Sequence, residues 1–154
     1  AFVQQYYYRS AQYGVHSPDM RASGAETAQM DEGALLDAIC LTNAYVGSNH
    51  GDTHIFATLF FGILDPASGR LSYANCGHLP PVLRGVDGHE TRLMPTGPAV
   101  GLLPDATFRV EQTELDPGDL LFMYTDGVTE ARTLQGEMFG EARLAALREQ
   151  HAGE

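Results

Sequence analysis

A run of ten uncharged, mostly apolar residues, from Ile55 to Leu64, does most to restrict the folds open to this 154-residue chain. The run is too short to cross a bilayer, which takes roughly 18 to 20 apolar residues, and its β-branched and aromatic side chains predict a buried strand. A turn-forming cluster follows at 65–69, after which side chains alternate in character from Leu71 to Cys76. The two runs therefore predict an antiparallel hairpin.

The rest of the chain predicts an α+β fold in one domain, an antiparallel β-sheet meander with flanking helices. Apolar residues recur at helical spacing over 32–46 and again over 138–150, so a helix is predicted at each place. Short runs of β-favouring residues lie between them, separated by turn residues such as Asp87-Gly88 and Pro117-Gly118. Strands are predicted at 82–84, 90–93, 108–114 and 120–124.

The first thirty-three residues are less informative. Aromatic side chains near one side of a helical period predict an amphipathic helix from Phe2 to Tyr13, with a short strand as the alternative. Turn-forming residues without a sustained period predict a surface loop from His16 to Gly33.

Charge and cysteine content exclude several classes of protein. A formal net charge of -11 argues against nucleic acid as a partner, because phosphate binding needs clustered basic groups. No segment has the length of a membrane span, and the first residues do not have the pattern of a signal peptide. Cys40 and Cys76 lack zinc-site spacing and are expected to be buried and unpaired, with a structural disulfide as the less favoured alternative. We therefore predict a cytoplasmic protein.

The strongest candidate for chemistry is Asp126, which ends the apolar run from Leu120 to Tyr124 and is followed by Gly127. A carboxylate held at the end of a rigid strand is a good ligand for a hard cation such as Mg²⁺ or Mn²⁺. The glycine would allow the backbone to turn tightly and a ligand to approach closely. Spacing alone leaves open the alternative that this segment is only a turn.

Asn75 and His78 form a second candidate, an amide and an imidazole on either side of a glycine at the end of a predicted strand. Either could act on a substrate, although a side chain that only hydrogen-bonds its own loop would give the same pattern. His50 and His54 flank Asp52 in a glycine-rich segment, where a solvated turn is favoured over a metal site.

Several motifs, in order, resemble the SpoIIE/RsbU branch of the PPM metal-dependent serine/threonine protein phosphatases. The resemblance covers roughly residues 53–150 and is looser before them. The matching segments are Phe56-Ala57-Thr58-Leu59-Phe60, Tyr73-Ala74-Asn75-Cys76-Gly77-His78, Pro117-Gly118-Asp119 and Tyr124-Thr125-Asp126-Gly127-Val128-Thr129-Glu130-Ala131.

The resemblance implies a PPM-type αββα sandwich with two Mn²⁺ or Mg²⁺ ions at its edge. It implies that Asp126 is a metal ligand, and that the reaction is hydrolysis of phosphoserine or phosphothreonine on a regulatory protein. The usual substrate in this bacterial family is a phosphorylated STAS-type anti-anti-sigma protein, which places the family in signal transduction and sigma factor regulation. The resemblance also allows a sensor domain before this segment, and a homodimer.

Two elements of the family pattern do not occur in these 154 residues, the upstream Asp-x-Ser-Gly-x-Gly element and the downstream Asp-Asp-x-Thr strand. We therefore expect residues 1–154 to be a partial phosphatase domain that is inactive by itself, within an active parent protein. The alternative is a non-catalytic module with a degenerate phosphatase fold, which binds a phosphoprotein or mediates dimer contacts. A small-ligand-binding α+β domain is a third, weaker alternative.

Overall fold

A computed structural model of the chain describes residues 3–7, 24–50 and 55–150. Its strands and helices follow one another in the α+β order that the sequence predicts, except that the first element is a strand and a short helix precedes the last helix. The elements are β1 (Val3–Tyr7), α1 (Gly24–His50), β2 (Leu59–Leu64), β3 (Arg70–Cys76), β4 (Val82–Arg84), β5 (Glu90–Arg92), β6 (Glu111–Glu114), β7 (Leu120–Tyr124), α2 (Asp126–Thr129) and α3 (Gly140–Gln150).

The predicted hairpin is confirmed, since β2 and β3 pair antiparallel from Leu59 opposite Cys76 to Leu64 opposite Leu71. Its turn is held by the Asp65 carboxylate, which accepts hydrogen bonds from the Ala67 amide (2.9 Å) and the Ser68 hydroxyl (2.6 Å). These bonds, the Ser68 hydroxyl first, hold the pKa of Asp65 below its usual value, because they stabilise the ionised form.

The described strands form two antiparallel sheets, in which neighbours are often distant in sequence. The order is β1-β7-β4-β5 in the four-stranded sheet and β2-β3-β6 in the three-stranded sheet. β7 thus lies between β1 and β4, although more than a hundred residues separate it from β1. Pairing between such remote segments cannot be read from local sequence.

Three apolar clusters join two helices and two sheets into four layers. Side chains on one face of β3, including Ala74 and Cys76, pack with Leu35 and Ile39 of α1. The opposite face of β3 packs against the second sheet, and Leu144 of α3 covers the outer face of that sheet. The alternation of side chains along each strand therefore produces a helix, sheet, sheet, helix sandwich. The cluster between the sheets consists of Leu71, Tyr73, Leu83, Leu93, Leu115 and Leu121.

The first predicted helix is wrong over Val3–Tyr7, which is a strand, as the alternative interpretation held. β1 pairs antiparallel with β7, from Val3 opposite Tyr124 to Tyr7 opposite Leu120. Valine and tyrosine favour strands, and a neighbouring strand decides between the two conformations. Residues 8–13 of the predicted helix lie outside the described part of the chain.

The second helix is longer than predicted, because α1 already begins at Gly24, inside the predicted loop. The loop prediction is therefore wrong for residues 24–33. Residues 25–30 include alanine, glutamate, glutamine and methionine, which favour a helix even without an apolar period. α3 agrees with the prediction apart from its start at Gly140, and the short helix α2 was not predicted.

The observed burial of side chains differs from the sequence-based prediction at two places. β2 begins only at Leu59, and its side chains are half-buried or exposed, so the prediction of a buried strand is wrong. This strand forms one edge of its sheet and has a described partner on one side only. Both cysteines are free, as expected, but Cys40 is exposed. Cys40 lies outside the stripe by which α1 packs, which consists of Leu35, Ile39 and Asn43.

Candidate active site

Asp126 lies at the rim of the four-stranded sheet, immediately beyond the end of β7. Thr125 is still extended (φ -104°, ψ 160°), and Asp126 opens α2. The carbonyl of Asp126 accepts hydrogen bonds from the Glu130 amide (2.8 Å) and the Thr129 hydroxyl (3.1 Å). The backbone is therefore fixed by its own short helix, while the carboxylate is exposed. This is the position that the sequence predicts for a metal ligand.

Asn75, at the end of β3, is completely buried. Its side-chain amide donates to the Leu93 carbonyl (3.0 Å), and its side-chain oxygen accepts from the His78 amide (2.9 Å). Its backbone N–H donates to the Thr96 hydroxyl at 3.1 Å. A catalytic role for Asn75 stays a prediction, whereas these bonds show a side chain that fastens the segment around residue 93 to the end of β3.

His78 follows Gly77, whose positive φ of 71° turns the chain away from β3. A Cβ at Gly77 would come 3.1 Å from the backbone nitrogen of Ala99, so glycine suits both the conformation and the close approach. The Nδ1 atom of His78 lies 2.9 Å from the Leu79 carbonyl. A carbonyl can only accept, so Nδ1 carries a proton, and Nε2 is the nitrogen left to exchange one.

The structure brings the two candidate segments together. A cleft of about 290 Å³ opens where β2 begins and where β3 and β7 end. His78 lies on its wall together with Thr125, the residue before Asp126. Sequence reasoning did not single out Thr58 or Thr125, although each lies within a matching motif. The lining residues are Thr58, Leu59, Phe60, His78, Met123, Tyr124 and Thr125.

Helix α3 packs against the end of β7. The Tyr124 hydroxyl lies 3.0 Å from both carboxylate oxygens of Glu141, in the first turn of α3. Burial first, and then this carboxylate, raise the pKa of Tyr124 and keep the phenol protonated as a donor. Arg148, about two turns further along the same side of α3, contacts Glu90 (3.2 Å) and the ring of Phe122 (5.6 Å to the centroid). These contacts fix β7 directly before Asp126.

The residues present do not by themselves fit a two-metal centre. Within 3–7, 24–50 and 55–150, no three His, Cys, Asp or Glu side chains are grouped so that they could hold an ion. Two dications close together repel strongly and require several carboxylates around them, whereas Asp126 is the one predicted ligand at this edge. Of the remaining metal-site candidates, Asp52 and His54 lie outside the described residues. His50 is described only as the last residue of α1.

Comparison with known proteins agrees with the matching motifs. Residues 20–154 match the family described as Stage II sporulation protein E (SpoIIE). The chain belongs to the SpoIIE family. The resemblance to SpoIIE/RsbU-type PPM phosphatases is thereby confirmed.

The relatives of this SpoIIE-family chain are considerably longer than the chain. Protein IcfG of Synechocystis sp. is 50% identical over 110 residues, which are 71% of this chain and 17% of IcfG. Phosphoserine phosphatase RsbU of Bacillus subtilis is 29% identical over 86 residues, or 55% of this chain and 26% of RsbU. The chain thus spans about a sixth to a quarter of these relatives.

A solved structure supports the fold. The crystal structure of the RsbU and RsbW domains of a Mycobacterium tuberculosis protein superposes with a TM-score of 0.53 at 31% identity. The match covers 69% of this chain and 30% of that one. The α+β fold of antiparallel sheets with flanking helices is therefore confirmed for this SpoIIE-family chain. In the described residues, no helix combines the length and the apolar character that crossing a membrane requires.

Proposed function

We propose that the protein to which this chain belongs hydrolyses phosphoserine or phosphothreonine on a regulatory protein. The observation that carries the proposal is the shared cleft, which places His78 beside the strand end that presents Asp126. The relative from Bacillus subtilis named phosphoserine phosphatase RsbU supports the choice of reaction. In this proposal the parent protein is the enzyme, and the 154-residue polypeptide alone is inactive.

The proposed cofactor is a pair of Mn²⁺ or Mg²⁺ ions, for which Asp126 provides one ligand. Carboxylate oxygens are the donors that these hard cations prefer. The described residues supply too few carboxylates at this edge. We therefore assign the remaining ligands to the Asp-x-Ser-Gly-x-Gly and Asp-Asp-x-Thr elements, which the family pattern leads us to expect in the parent protein.

His78 is proposed to protonate the leaving oxygen of the substrate. When water adds to phosphorus and the P–O bond breaks, the serine or threonine oxygen must gain a proton. The Leu79 carbonyl holds the proton on Nδ1, so Nε2 of the imidazolium is the atom that can donate. Asn75 accepts from the His78 amide and so positions the loop that carries the ring. We keep Asn75 as a positioning residue in this proposal.

A comparison of two substrates tests His78. In the parent protein, His78→Ala should slow hydrolysis of a phosphoserine peptide by roughly 10² or more, the usual contribution of a general acid. Hydrolysis of p-nitrophenyl phosphate should change little, because p-nitrophenolate leaves without a proton. Equal losses with both substrates would show that His78 does not act as the acid.

Asp126 is tested in the same protein. Asp126→Asn should reduce turnover by at least about 10³-fold and weaken Mn²⁺ binding measured by calorimetry, because removing charge from a ligand weakens the site. Asp105→Asn is the control, since Asp105 is also exposed but lies in the loop between β5 and β6 rather than at the end of β7. Unchanged turnover in Asp126→Asn would remove Asp126 from the mechanism.

The same assay tests the isolated polypeptide. We expect no turnover of a phosphoserine substrate by residues 1–154 at millimolar Mn²⁺. Fast turnover would show that these residues complete the site without help.

The proposed substrate is a phosphorylated STAS-type anti-anti-sigma protein, as the resemblance to RsbU-type phosphatases suggests. Such a substrate would place the parent protein in the cytoplasm, and the proposal allows an N-terminal sensor domain and a homodimer. A net charge of -11 offers no general attraction for a phosphoprotein, so recognition would depend on local contacts and on the metal ions.

A second candidate function is a non-catalytic module that binds a phosphoprotein or mediates dimer contacts. The lack of a three-ligand group in the described residues agrees with this alternative as well as with the first proposal. Under this alternative, the parent sequence lacks the two aspartate elements, and the parent protein binds a phosphoprotein without hydrolysing it. Sequencing the parent gene on both sides of this segment, and measuring turnover by the parent protein, distinguish the two functions.

A further inference from the structure

Residues 131–139, between α2 and α3, form a small hairpin that we call the rim hairpin. At its base the Phe139 amide donates to the Ala131 carbonyl (2.7 Å), and near its tip the Thr133 amide donates to the Glu137 carbonyl (2.9 Å). Phe139 is partly buried against the apolar cluster that joins α3 to the outer face of the four-stranded sheet. The hairpin is therefore ordered by its own backbone bonds and anchored at one end to the fold.

The tip of the rim hairpin carries Leu134, whose side chain is completely exposed. The Gly136 amide closes the turn on the Thr133 carbonyl (2.9 Å), and Gly136 has a positive φ of 86°. A turn of this kind needs the glycine for its backbone conformation, whereas the position of Leu134 accepts most residues. The turn thus does not require leucine, and the hairpin presents an apolar side chain to solvent on a fixed support.

A single exposed leucine is common on a protein surface, so the position of Leu134 is what matters. The rim hairpin begins directly after α2, the short helix that Asp126 opens. The Ala131 amide still donates to the Val128 carbonyl (3.4 Å) at the end of that helix. Even fully extended, the three residues from Ala131 to Leu134 add only about 10 Å. The Cα of Leu134 therefore lies within about 20 Å of the Cα of Asp126.

The size of a substrate decides how far it extends beyond the cleft. A folded domain of about 100 residues has a radius of gyration of about 13 Å and is therefore more than about 30 Å wide. A five-residue phosphopeptide extends only about 7 Å on either side of its phosphoserine. A folded phosphoprotein is thus wide enough to contact the cleft and the rim hairpin together, and a short peptide offers far less surface for a second contact.

We propose that Leu134, at the tip of the rim hairpin, is a docking contact for the folded phosphoprotein whose phosphate is hydrolysed beside Asp126. The inference rests on the proposed function and gives its protein substrate a second contact on this chain. A net charge of -11 provides no general attraction for a phosphoprotein, so local apolar contacts have to supply affinity. An ordered hairpin loses little conformational freedom on binding, and burial of an exposed leucine is favourable.

Steady-state kinetics of the parent protein test the inference with two substrates, a phosphorylated STAS-type protein and a five-residue peptide around its phosphoserine. Leu134→Ser should raise KM for the protein substrate at least about tenfold, because the variant loses the burial of a leucine. The value of kcat for that protein, and kcat/KM for the peptide, should stay within about twofold. Leu102→Ser is the matched control, since Leu102 is an exposed leucine in the loop between β5 and β6.

Three results would overturn the inference. The first is an unchanged KM for the phosphorylated protein in Leu134→Ser, and the second is an equal loss with protein and peptide, which would indicate a damaged site. The third is a parent dimer that dissociates in Leu134→Ser, measured by analytical ultracentrifugation, which would assign the leucine to a second copy. Leu134→Ser should keep the Tm of the wild type, because the side chain is completely exposed.

Calorimetric titration with the phosphorylated STAS-type protein separates this inference from the proposed function. If the parent protein binds it without turnover, and Leu134→Ser weakens binding at least about tenfold, the enzymatic function fails and the docking contact stands. If the parent protein hydrolyses it and Leu134→Ser binds it as tightly as the wild type, the function stands and the docking contact fails. Absence of both binding and turnover would overturn the docking contact as well.

Discussion

Replacing Asn75 by alanine should lower the free energy of unfolding, because its side chain holds the fold together. The side chain is fully buried and bonds both the Leu93 carbonyl (3.0 Å) and the His78 amide (2.9 Å). Alanine would leave the buried Leu93 carbonyl and the part-buried His78 amide without these partners, at about 1 to 3 kcal/mol each. The expected loss is therefore about 2 to 6 kcal/mol. For a chain of this size, a loss of about 3 kcal/mol lowers Tm by roughly 6 to 12 °C.

Thermal denaturation of Asn75→Ala, followed by circular dichroism, measures this loss. Gln135→Ala is the matched control, because Gln135 is an exposed amide in a surface turn and should leave Tm unchanged. The reasoning is refuted if Asn75→Ala melts within about 1 °C of the wild type. If that stable variant also lost turnover in the parent protein, Asn75 would be assigned to catalysis rather than to positioning.

Two further predictions concern buried groups that do not themselves line the cleft. Asp119→Ala should lower the free energy of unfolding measured in urea by about 2 to 3 kcal/mol. The reason is that the Asp119 carboxylate accepts hydrogen bonds from the Val86 (3.2 Å) and Asp116 (2.9 Å) amides. A decrease of less than about 0.5 kcal/mol would contradict this role. Burial first, and then the Cys40 thiol, raise the pKa of Cys76 from 9.0 to about 11. Between those pH values only the unfolded chain loses the thiol proton, so stability present below pH 9 should decline towards pH 11. Cys76→Ala should show a shallower decline, and equal declines would exclude this thiol as a cause.

Local sequence was sufficient to predict the structure of a segment where its conformation depends on its own residues. The turn at Asp65 and the alternation in β3 are of this kind, and so is the end of β7 before Asp126. Turn bonds and strand alternation involve residues a few positions apart, and the sequence shows them directly. Two of the motifs that match the SpoIIE family, at 73–78 and 124–131, lie in these segments or directly after them.

Local sequence was insufficient where a distant neighbour decides. Val3–Tyr7 is a strand because β7 pairs with it. The sequence also could not show that the Asn75 side chain makes hydrogen bonds to Leu93 and His78. Such contacts join segments that meet only after the sheets have packed.

The sequence by itself determined the antiparallel α+β class and the family, and it predicts Asp126 as a metal ligand, because each depends on residue types in a local order. Only the tertiary structure decided that His78 and the end of β7 share a cleft. It alone also left the most apolar strand, β2, at a sheet edge. The physical reason is the same in both cases, since burial and proximity depend on which distant strands pair and on which layers cover them.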